Sequence, residues 1–370
     1  MYSIIGSGIA GLACSYTLSS FGIDNEIFES GDTRTANNYG IQLSPNASHV
    51  LQKMGILNKL DPNMKVINSI EIYSIEKLKK LITLPVNEFV TKNNLTNYYT
   101  VSRNILHKEL LSSVISCKTK IKQDSKIKKV EDLGNKVKIT KQNKSTDTCK
   151  KLIIANGNSG IPIFDRISCS PIKNDFTTYR SAVKHSEFPL KINEDTVYLF
   201  LGNGMHVVVY PYFEDLINIV MITKNNQDTI IPNSNQNIEN ITTFLSALEW
   251  ESWSLYDSKI TLNFDISRPI FAIGDAAHSI KPHLAQGASM ALEDGYTLGK
   301  SIGGEITTKS VHLLMSKRQK RINRVIRSSS LNRKIFHASP IVSIARDFFL
   351  EKTNSRKQLD SLKWLYGYKV

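Results

Sequence analysis

The sequence predicts an α/β fold: a parallel sheet with crossover helices, interrupted by a mixed or antiparallel β-sheet and completed by C-terminal helices. Three observations carry this. A short apolar run at Tyr2–Ile5 leads directly into Gly6-Ser7-Gly8-Ile9-Ala10-Gly11 and then into helical spacing from Leu12 to Ser20. Three strand candidates, Val197–Leu201, Val207–Tyr212 and Leu216–Thr223, follow one another across Gly-Asn-Gly and acidic turns. A second apolar run, Pro269–Ile273, enters a glycine-rich segment and then a helix expected from Gly287 to Ser301, after which Lys309–Val370 reads as mainly helical.

The first of these segments sets the chemistry. A G-x-G-x-x-G that follows a strand and opens a helix is the turn that binds a dinucleotide. Gly6 permits the tight turn, Gly8 lets the backbone approach a pyrophosphate, and Gly11 allows close helix–strand packing. Ile9 and Ala10 lie at the helix N-terminus, whose free N–H groups and positive dipole end suit phosphates. Glu29 ends the second strand candidate 18 residues after Gly11, near the spacing of a carboxylate that grips ribose hydroxyls. This unit is Rossmann-like, and by itself leaves NAD and FAD both open.

Composition bounds the rest. The chain has 370 residues, 41% hydrophobic and 22% charged, enough apolar material for a sizeable core. No stretch approaches the ~20 apolar residues of a membrane span. The apolar start lacks the basic leader of a signal peptide and is punctuated by three glycines. Cys14, Cys117, Cys149 and Cys169 lie far apart with no C-x-x-C, which excludes a zinc ribbon and a dithiol redox motif and fits a reducing cytoplasm. The net charge of +14 is spread along the chain, a pattern of a solvated surface or of an anionic ligand rather than of nucleic acid.

The segment Ile270-Phe271-Ala272-Ile273-Gly274-Asp275-Ala276-Ala277-His278-Ser279-Ile280-Lys281-Pro282-His283-Leu284-Ala285-Gln286-Gly287-Ala288 decides between the cofactors. A buried strand delivers Asp275 where its carboxylate can accept hydrogen bonds from ribitol hydroxyls. Pro282 fixes a turn, and Gly287 and Ala288 open a helix whose positive end stabilises a reduced flavin. The segment resembles, nearly residue for residue, the GD motif of FAD-dependent group A flavoprotein monooxygenases, the salicylate-hydroxylase-like aromatic hydroxylases. The resemblance extends over almost the whole chain. Gly40-Ile41-Gln42-Leu43-Ser44-Pro45-Asn46-Ala47 resembles the family segment that covers the flavin, and Arg103 in Ser102-Arg103-Asn104-Ile105-Leu106 resembles its FAD-contacting arginine. Gly202-Asn203-Gly204-Met205-His206 with Tyr210-Pro211 resembles its substrate-domain sheet, and Trp364–Tyr368 its usual terminus.

The resemblance implies FAD held non-covalently, NADH or NADPH as transient electron donor, O2, and hydroxylation of a small aromatic or related ring through a flavin C4a-hydroperoxide. One G-x-G-x-x-G and no cysteine pair agree with this and exclude a disulfide reductase. The FAD-binding domain is expected from 1–65, 100–172 and 265–340, the substrate-binding β-sheet domain from 66–99 and 173–264, and a C-terminal helical segment from 341–370. His283, Tyr210 and His206 are the candidate catalytic residues, and Arg180, Tyr210 and His283 the candidate substrate contacts. His278 is expected to support its own turn, and no metal is expected. Monomer or homodimer remain equally open.

Two departures stand out. The family's second acidic motif is Ile154-Ala155-Asn156-Gly157-Asn158-Ser159-Gly160 here, with Asn156 where the family has aspartate. Asparagine keeps one acceptor and adds donors, which predicts retained FAD binding and weakened turnover. Ser30 follows Glu29 where a basic residue is common. A hydroxylase of quinone precursors or an epoxidase at a membrane, and an FAD-binding protein that has lost hydroxylation, are the alternative functions. Lys317, Lys320, Arg321, Arg324 and Arg327 form a basic helix face, read as solvated, with peripheral contact to an anionic membrane as its second reading.

Overall fold

The computed structural model describes residues 1–31, 39–159, 162–163, 167–168, 172–224, 236–257, 269–304 and 308–370. Cys169 and Gly160 lie outside the described residues. Five parallel strands form the first sheet, in the order Ile270–Ala272, Lys151–Ile154, Tyr2–Ile5, Asn25–Phe28, Lys120–Lys122. Ile5 is in register with both Phe28 and Ile154, and Ile154 with Ala272, so the carboxyl ends of four strands are level. The segments that follow them therefore emerge along one edge, where open parallel sheets bind ligands.

The helix Ile9–Ser20 shows almost no polar face because it is covered on both sides, by the sheet and by the helix Gly287–Gly303. That contact is close enough to require glycine: a Cβ on Gly295 would come within 2.6 Å of the Ala10 carbonyl oxygen.

Seven strands form the inserted sheet, in the order Glu251–Asp257, Ile172–Lys184, Leu216–Lys224, Met205–Phe213, Thr196–Leu201, Ser69–Ser74, Lys79–Pro85. The three strands read from sequence appear in it as an antiparallel run, and Thr196–Leu201 pairs in parallel with Ser69–Ser74, which makes the sheet mixed. Alternation sorts its faces. Val207, Val209, Ile217 and Ile219 enter a core with Ile241 and Leu245, while Val208, Tyr210, Val220 and Ile222 face the other way, toward the parallel-sheet unit. A three-stranded sheet, Gly40–Leu43, Tyr99–Ser102 and Met64–Val66, joins the two.

The long helix Thr308–Phe336 corrects one sequence expectation. Lys317, Lys320, Arg324 and Arg327 are exposed, but Arg321 is buried, 6% accessible, and belongs to an inward stripe with Arg318, Ile322, Val325 and Ser329. The period of 3.6 separates these two sets, and a count of positive charges does not. No helix among the described residues is long and apolar enough to cross a membrane.

Candidate active site

A cavity of about 1020 Å³ lies along the carboxyl edge of the parallel sheet and beneath the seven-stranded sheet. Gly6, Gly8, Ile9, Ala10, Glu29, Arg103, Asn156, Asp275, Pro282, Gly287 and Ala288 line it, and Arg180, His206 and Tyr210 of the seven-stranded sheet form its roof. Small-molecule sites span roughly 300–1,000 Å³, so this one holds a large ligand or two.

The end wall is built by backbone demands. Gly6 has φ +102°, and a Cβ there would stand 2.6 Å from the Ala155 carbonyl oxygen. Gly8 is the extended residue before the first helix, and the Leu12 amide donates to its carbonyl at 2.9 Å. Gly11 does not line the cavity; it lies against the Gly6 carbonyl, closing the turn from behind. Glu29 uses both carboxylate oxygens locally: one accepts the Ser7 amide and hydroxyl, both at 2.7 Å, and the other accepts the Ser30 amide at 2.7 Å and the Gly31 amide at 3.1 Å. Burial pushes its pKa up, and the hydrogen bonds from Ser7, Gly31 and Ser30 outweigh that and leave it lowered.

Asp275 opens on the cavity while protein atoms surround it, and burial raises its pKa despite the nearby His278 and Arg103. The turn that presents it is tied down from below. Asp294 accepts the Gly274 amide at 2.9 Å, His278 Nε2 at 2.5 Å and Arg318 Nε at 2.7 Å. Arg318 also donates to Glu293, which takes Arg321 Nη2 at 2.7 Å and Asn46 Nδ2 at 2.7 Å. Burial works against both carboxylates, but His278 and Arg318 hold Asp294 well below the usual range, and Arg318 and Arg321 hold Glu293 low. His278 thus supports its turn, as its position in the motif suggested. The carboxylate–arginine core was not read from sequence, although two adjacent acids in a helix of small residues, and arginines three apart, were its visible signal.

The roof follows from strand register. Thr178 pairs with Ile222 and Ile222 with His206; Arg180 pairs with Val220 and Val220 with Val208. Both rows face the cavity. His206 Nδ1 lies 3.0 Å from His337 Nε2, and His337 Nδ1 lies 2.8 Å from the Gly204 carbonyl oxygen. Since that oxygen can only accept, His337 carries its proton on Nδ1 and accepts from His206 Nδ1–H, which leaves His206 Nε2 as a lone-pair acceptor. Burial, with His337 and His283 adding to it, holds His206 far below the usual histidine range, so the ring is neutral near pH 7.

Two candidates stand differently from the sequence reading. His283 does not line the cavity, although Pro282 and Ala285 do; it is buried behind the wall, 5.3 Å from His206 and 5.5 Å from His337 between ring centroids, with neither ring nitrogen hydrogen-bonded. Ala285, at φ +51°, ends the short turn Pro282–Leu284 that carries it. Tyr210 lines the cavity, but its hydroxyl donates to the Gly40 carbonyl at 2.8 Å, and burial pushes its pKa up to about 12. His206, His283 and His337 bring one nitrogen each within 4.8 Å of one another, and burial lowers the pKa of both His283 and His337, with His337, Arg333 and Lys281 adding to it at His283 and Arg333 and Arg346 at His337. His206 and His337 therefore form a hydrogen-bonded pair of neutral rings, with His283 packed against both.

The cavity fits a flavin dinucleotide on its own features. Two helix N-termini, at Gly8 and at Gln286–Gly287, open on it through residues no larger than Ala10 and Ala288, apart from Ile9. Gly6, which admits no Cβ, gives the bare backbone that a phosphate needs, and Arg103 and Asp275 line the same cavity.

Comparison with known proteins agrees. The family model described as pyridine nucleotide-disulphide oxidoreductase matches residues 2–205, and that described as FAD binding domain matches residues 223–329. A 3-hydroxybenzoate 6-hydroxylase of Polaromonas naphthalenivorans (strain CJ2) is 23% identical over 99% of this chain and 96% of its own length. A 3-amino-4-hydroxybenzoate 2-monooxygenase of Streptomyces cremeus is 25% identical over 80% of this chain and 77% of its own. Among solved structures, Klebsiella pneumoniae HpxO complexed with FAD and uric acid superposes with TM-score 0.80 at 15% identity, covering 98% of this chain and 95% of that one. A salicylate hydroxylase substrate complex gives 0.75 at 17%, covering 100% and 95%. Cys14, Cys117 and Cys149 are free thiols far apart in sequence, so the disulfide chemistry in the first model's description has no cysteine pair among the described residues. The chain belongs to the pyridine nucleotide-disulphide oxidoreductase family that the first model describes, carries the FAD binding domain of the second and, within it, is an FAD-dependent monooxygenase of the aromatic hydroxylase family.

Proposed function

We propose that the protein hydroxylates a small aromatic ring that carries both a carboxylate and a hydroxyl group, using NADH or NADPH as electron donor and one oxygen atom of O2. The observation that carries this is the roof: Arg180 and His206 stand in adjacent rows of one sheet face, over the same cavity as Gly8 and Asp275. A guanidinium suits a ring carboxylate, and an unprotonated imidazole nitrogen suits a ring hydroxyl. The names 3-hydroxybenzoate 6-hydroxylase and 3-amino-4-hydroxybenzoate 2-monooxygenase, borne by relatives, describe rings with both groups, which supports the reading.

Gly6, Gly8, Ile9, Ala10, Glu29, Arg103, Asp275, Pro282, Gly287 and Ala288 would hold FAD, with Gly11 packing the turn behind them. Bound there, FAD supplies the electron-transfer and oxygen chemistry that side chains lack. The chain's own work is narrower. Val208, Val220 and Ile222 exclude water from the ring, Arg180 sets its orientation, and His206 Nε2 accepts the hydrogen bond of the ring hydroxyl and so fixes which carbon is presented. His337 receives the Nδ1–H hydrogen bond and keeps His206 in the accepting tautomer. In this reading His283 packs His206 in place, and Tyr210 fixes its strand to Gly40 and presents a ring edge to substrate. With one nucleotide-binding unit of this kind among the described residues, the nicotinamide docks transiently.

The test is a screen of hydroxylated benzoates and nicotinates for stimulated NAD(P)H consumption, with the product identified by mass. A ring acid should stimulate consumption and gain one oxygen atom. If every ring acid leaves consumption at its unstimulated rate while FAD is bound, the reading fails and a flavoprotein without hydroxylation replaces it.

A further inference from the structure

The helix Pro340–Lys352 is amphipathic with its polar side inward. Ser343, Arg346 and Asp347 are buried beside Leu350, while Ile341, Val342, Ile344, Phe348 and Phe349 are exposed, from 56% to 84%. Leu331 and Ile335, on the last turns of the preceding helix, are also exposed and extend the patch. The arrangement cannot be relieved by rolling the helix. Arg346 Nε donates to Asp347 at 2.9 Å, and its Nη1 donates to the Ile335 and Phe336 carbonyls at 3.3 and 3.4 Å, satisfying the end of the preceding helix. Turning the apolar side inward would strip a buried ion pair and uncap that helix.

Around this face the charge is positive. Lys352 lies at the helix end beside Phe348, Lys79 Nζ pairs with Glu351 at 2.8 Å, Lys77 and Lys352 act on the same carboxylate, and Lys334 is exposed between Leu331 and Ile335. The chain as a whole carries +14. An apolar strip rimmed by lysines is complementary to a surface with an apolar interior and anionic headgroups. It is a poor match for a second copy, whose identical lysines and equal net charge would face it across the interface.

We propose that Pro340–Lys352 docks the protein on an anionic lipid bilayer, lying in the interfacial plane with Ile341, Ile344, Phe348 and Phe349 in the acyl boundary. The Ile341–Phe349 strip is about 12 Å long at 1.5 Å per residue, long enough to lie flat in that boundary. The helix begins three residues after His337, whose ring touches His206 on the cavity roof, so docking holds that roof beside the membrane surface. This docking does not depend on which ring the cavity takes.

The experiment is co-sedimentation of the full-length, FAD-loaded protein with vesicles of phosphatidylcholine alone and of phosphatidylcholine with about one quarter phosphatidylglycerol, at low and high salt. The wild type should pellet with the anionic vesicles at least roughly tenfold more strongly than with the neutral ones, and raised salt should weaken it. Ile344→Ser/Phe348→Ser should lower partitioning by roughly tenfold or more while the flavin absorbance is unchanged. Lys334→Glu/Lys352→Glu should reduce binding to anionic vesicles only. Wild type that stays in the supernatant with both vesicles overturns the proposal, as does undiminished binding of the serine variant. So does a concentration-dependent dimer, seen by light scattering, that the serine variant abolishes while vesicles bind neither form.

Discussion

The Asp294 carboxylate receives the Gly274 amide at 2.9 Å, and through that bond the helix Gly287–Gly303 holds the turn that presents Asp275 to the cavity. The same carboxylate takes His278 and Arg318, so one buried group fixes a turn, a histidine and the C-terminal helix together. Removing one partner of a buried ion pair costs about 3–5 kcal/mol, because the other charge is left unpaired. Asp294→Ala should therefore lower thermal stability by that order and weaken FAD retention, with Arg318→Met/Asp294→Leu less damaging than either single change. Calorimetry and flavin fluorescence after gel filtration read both. Equal melting temperatures for wild type and Asp294→Ala would mean that the turn holds itself.

Much of this architecture was legible in the sequence, and the reasons are local. Gly6 is demanded by a positive φ, and the stretch from Ile270 to Gly303 writes strand, turn and helix through residue types that the backbone itself selects. The partners of the buried network were not legible. Arg318 meets Asp294 across 24 residues and His337 meets His206 across 131, and neither pairing has a spacing signature. His283 shows the limit within a motif: the turn could be read, but its ring packs on His206, Phe336 and His337, which come from distant segments of the chain.

The histidine cluster gives a pH dependence whose sign follows from burial. Burial holds His283 at about 3 and His337 at about 4, with His206 also far below the ordinary histidine value of about 6.5. Groups with a depressed folded pKa that are neutral when folded take up protons on unfolding once the pH drops below the unfolded value. Their contribution to stability is complete above about pH 6.5 and is lost as pH falls toward 4 and 3, at about 1.4 kcal/mol per pH unit for each ring. Urea melts between pH 7.5 and 5 should show this fall, and His283→Leu should make it shallower. A flat profile would show that the rings are solvated when folded.

Arg180 and His206 should separate in kinetics. Losing a charge-assisted hydrogen bond costs about 1.5–3 kcal/mol, so Arg180→Ala should raise KM for a ring acid by roughly 10- to 150-fold, and for the same ring without its carboxylate hardly at all. His206→Leu removes the acceptor for the ring hydroxyl, and a hydrogen bond worth about 0.5–1.5 kcal/mol should lower kcat/KM by roughly 2- to 12-fold for the hydroxylated ring, with FAD still bound. Steady-state assays on both substrates check the split. If Arg180→Ala weakens both substrates alike, the arginine holds the sheet and not the carboxylate.

Asn156 lines the cavity at the carboxyl end of the strand Lys151–Ile154, and the Cβ that Gly6 lacks would stand 2.9 Å from its Cα. The position is therefore pressed against the turn that would receive the dinucleotide, and its side chain shares that cavity wall with Arg103 and Asp275. An aspartate there would add an acceptor of full charge facing the same ligand, at the cost of a second carboxylate near Asp275, whose own pKa burial already raises. If the asparagine weakens cofactor use, Asn156→Asp should tighten FAD or quicken its reduction by NAD(P)H, because a carboxylate accepts hydrogen bonds more strongly than an amide. If repulsion from Asp275 prevails, FAD should loosen, and more so at high pH, where both groups are ionised. Stopped-flow reduction and FAD titration at pH 6 and 8 distinguish these outcomes. Unchanged affinity and unchanged reduction at both pH values would show that this side chain does not touch the cofactor.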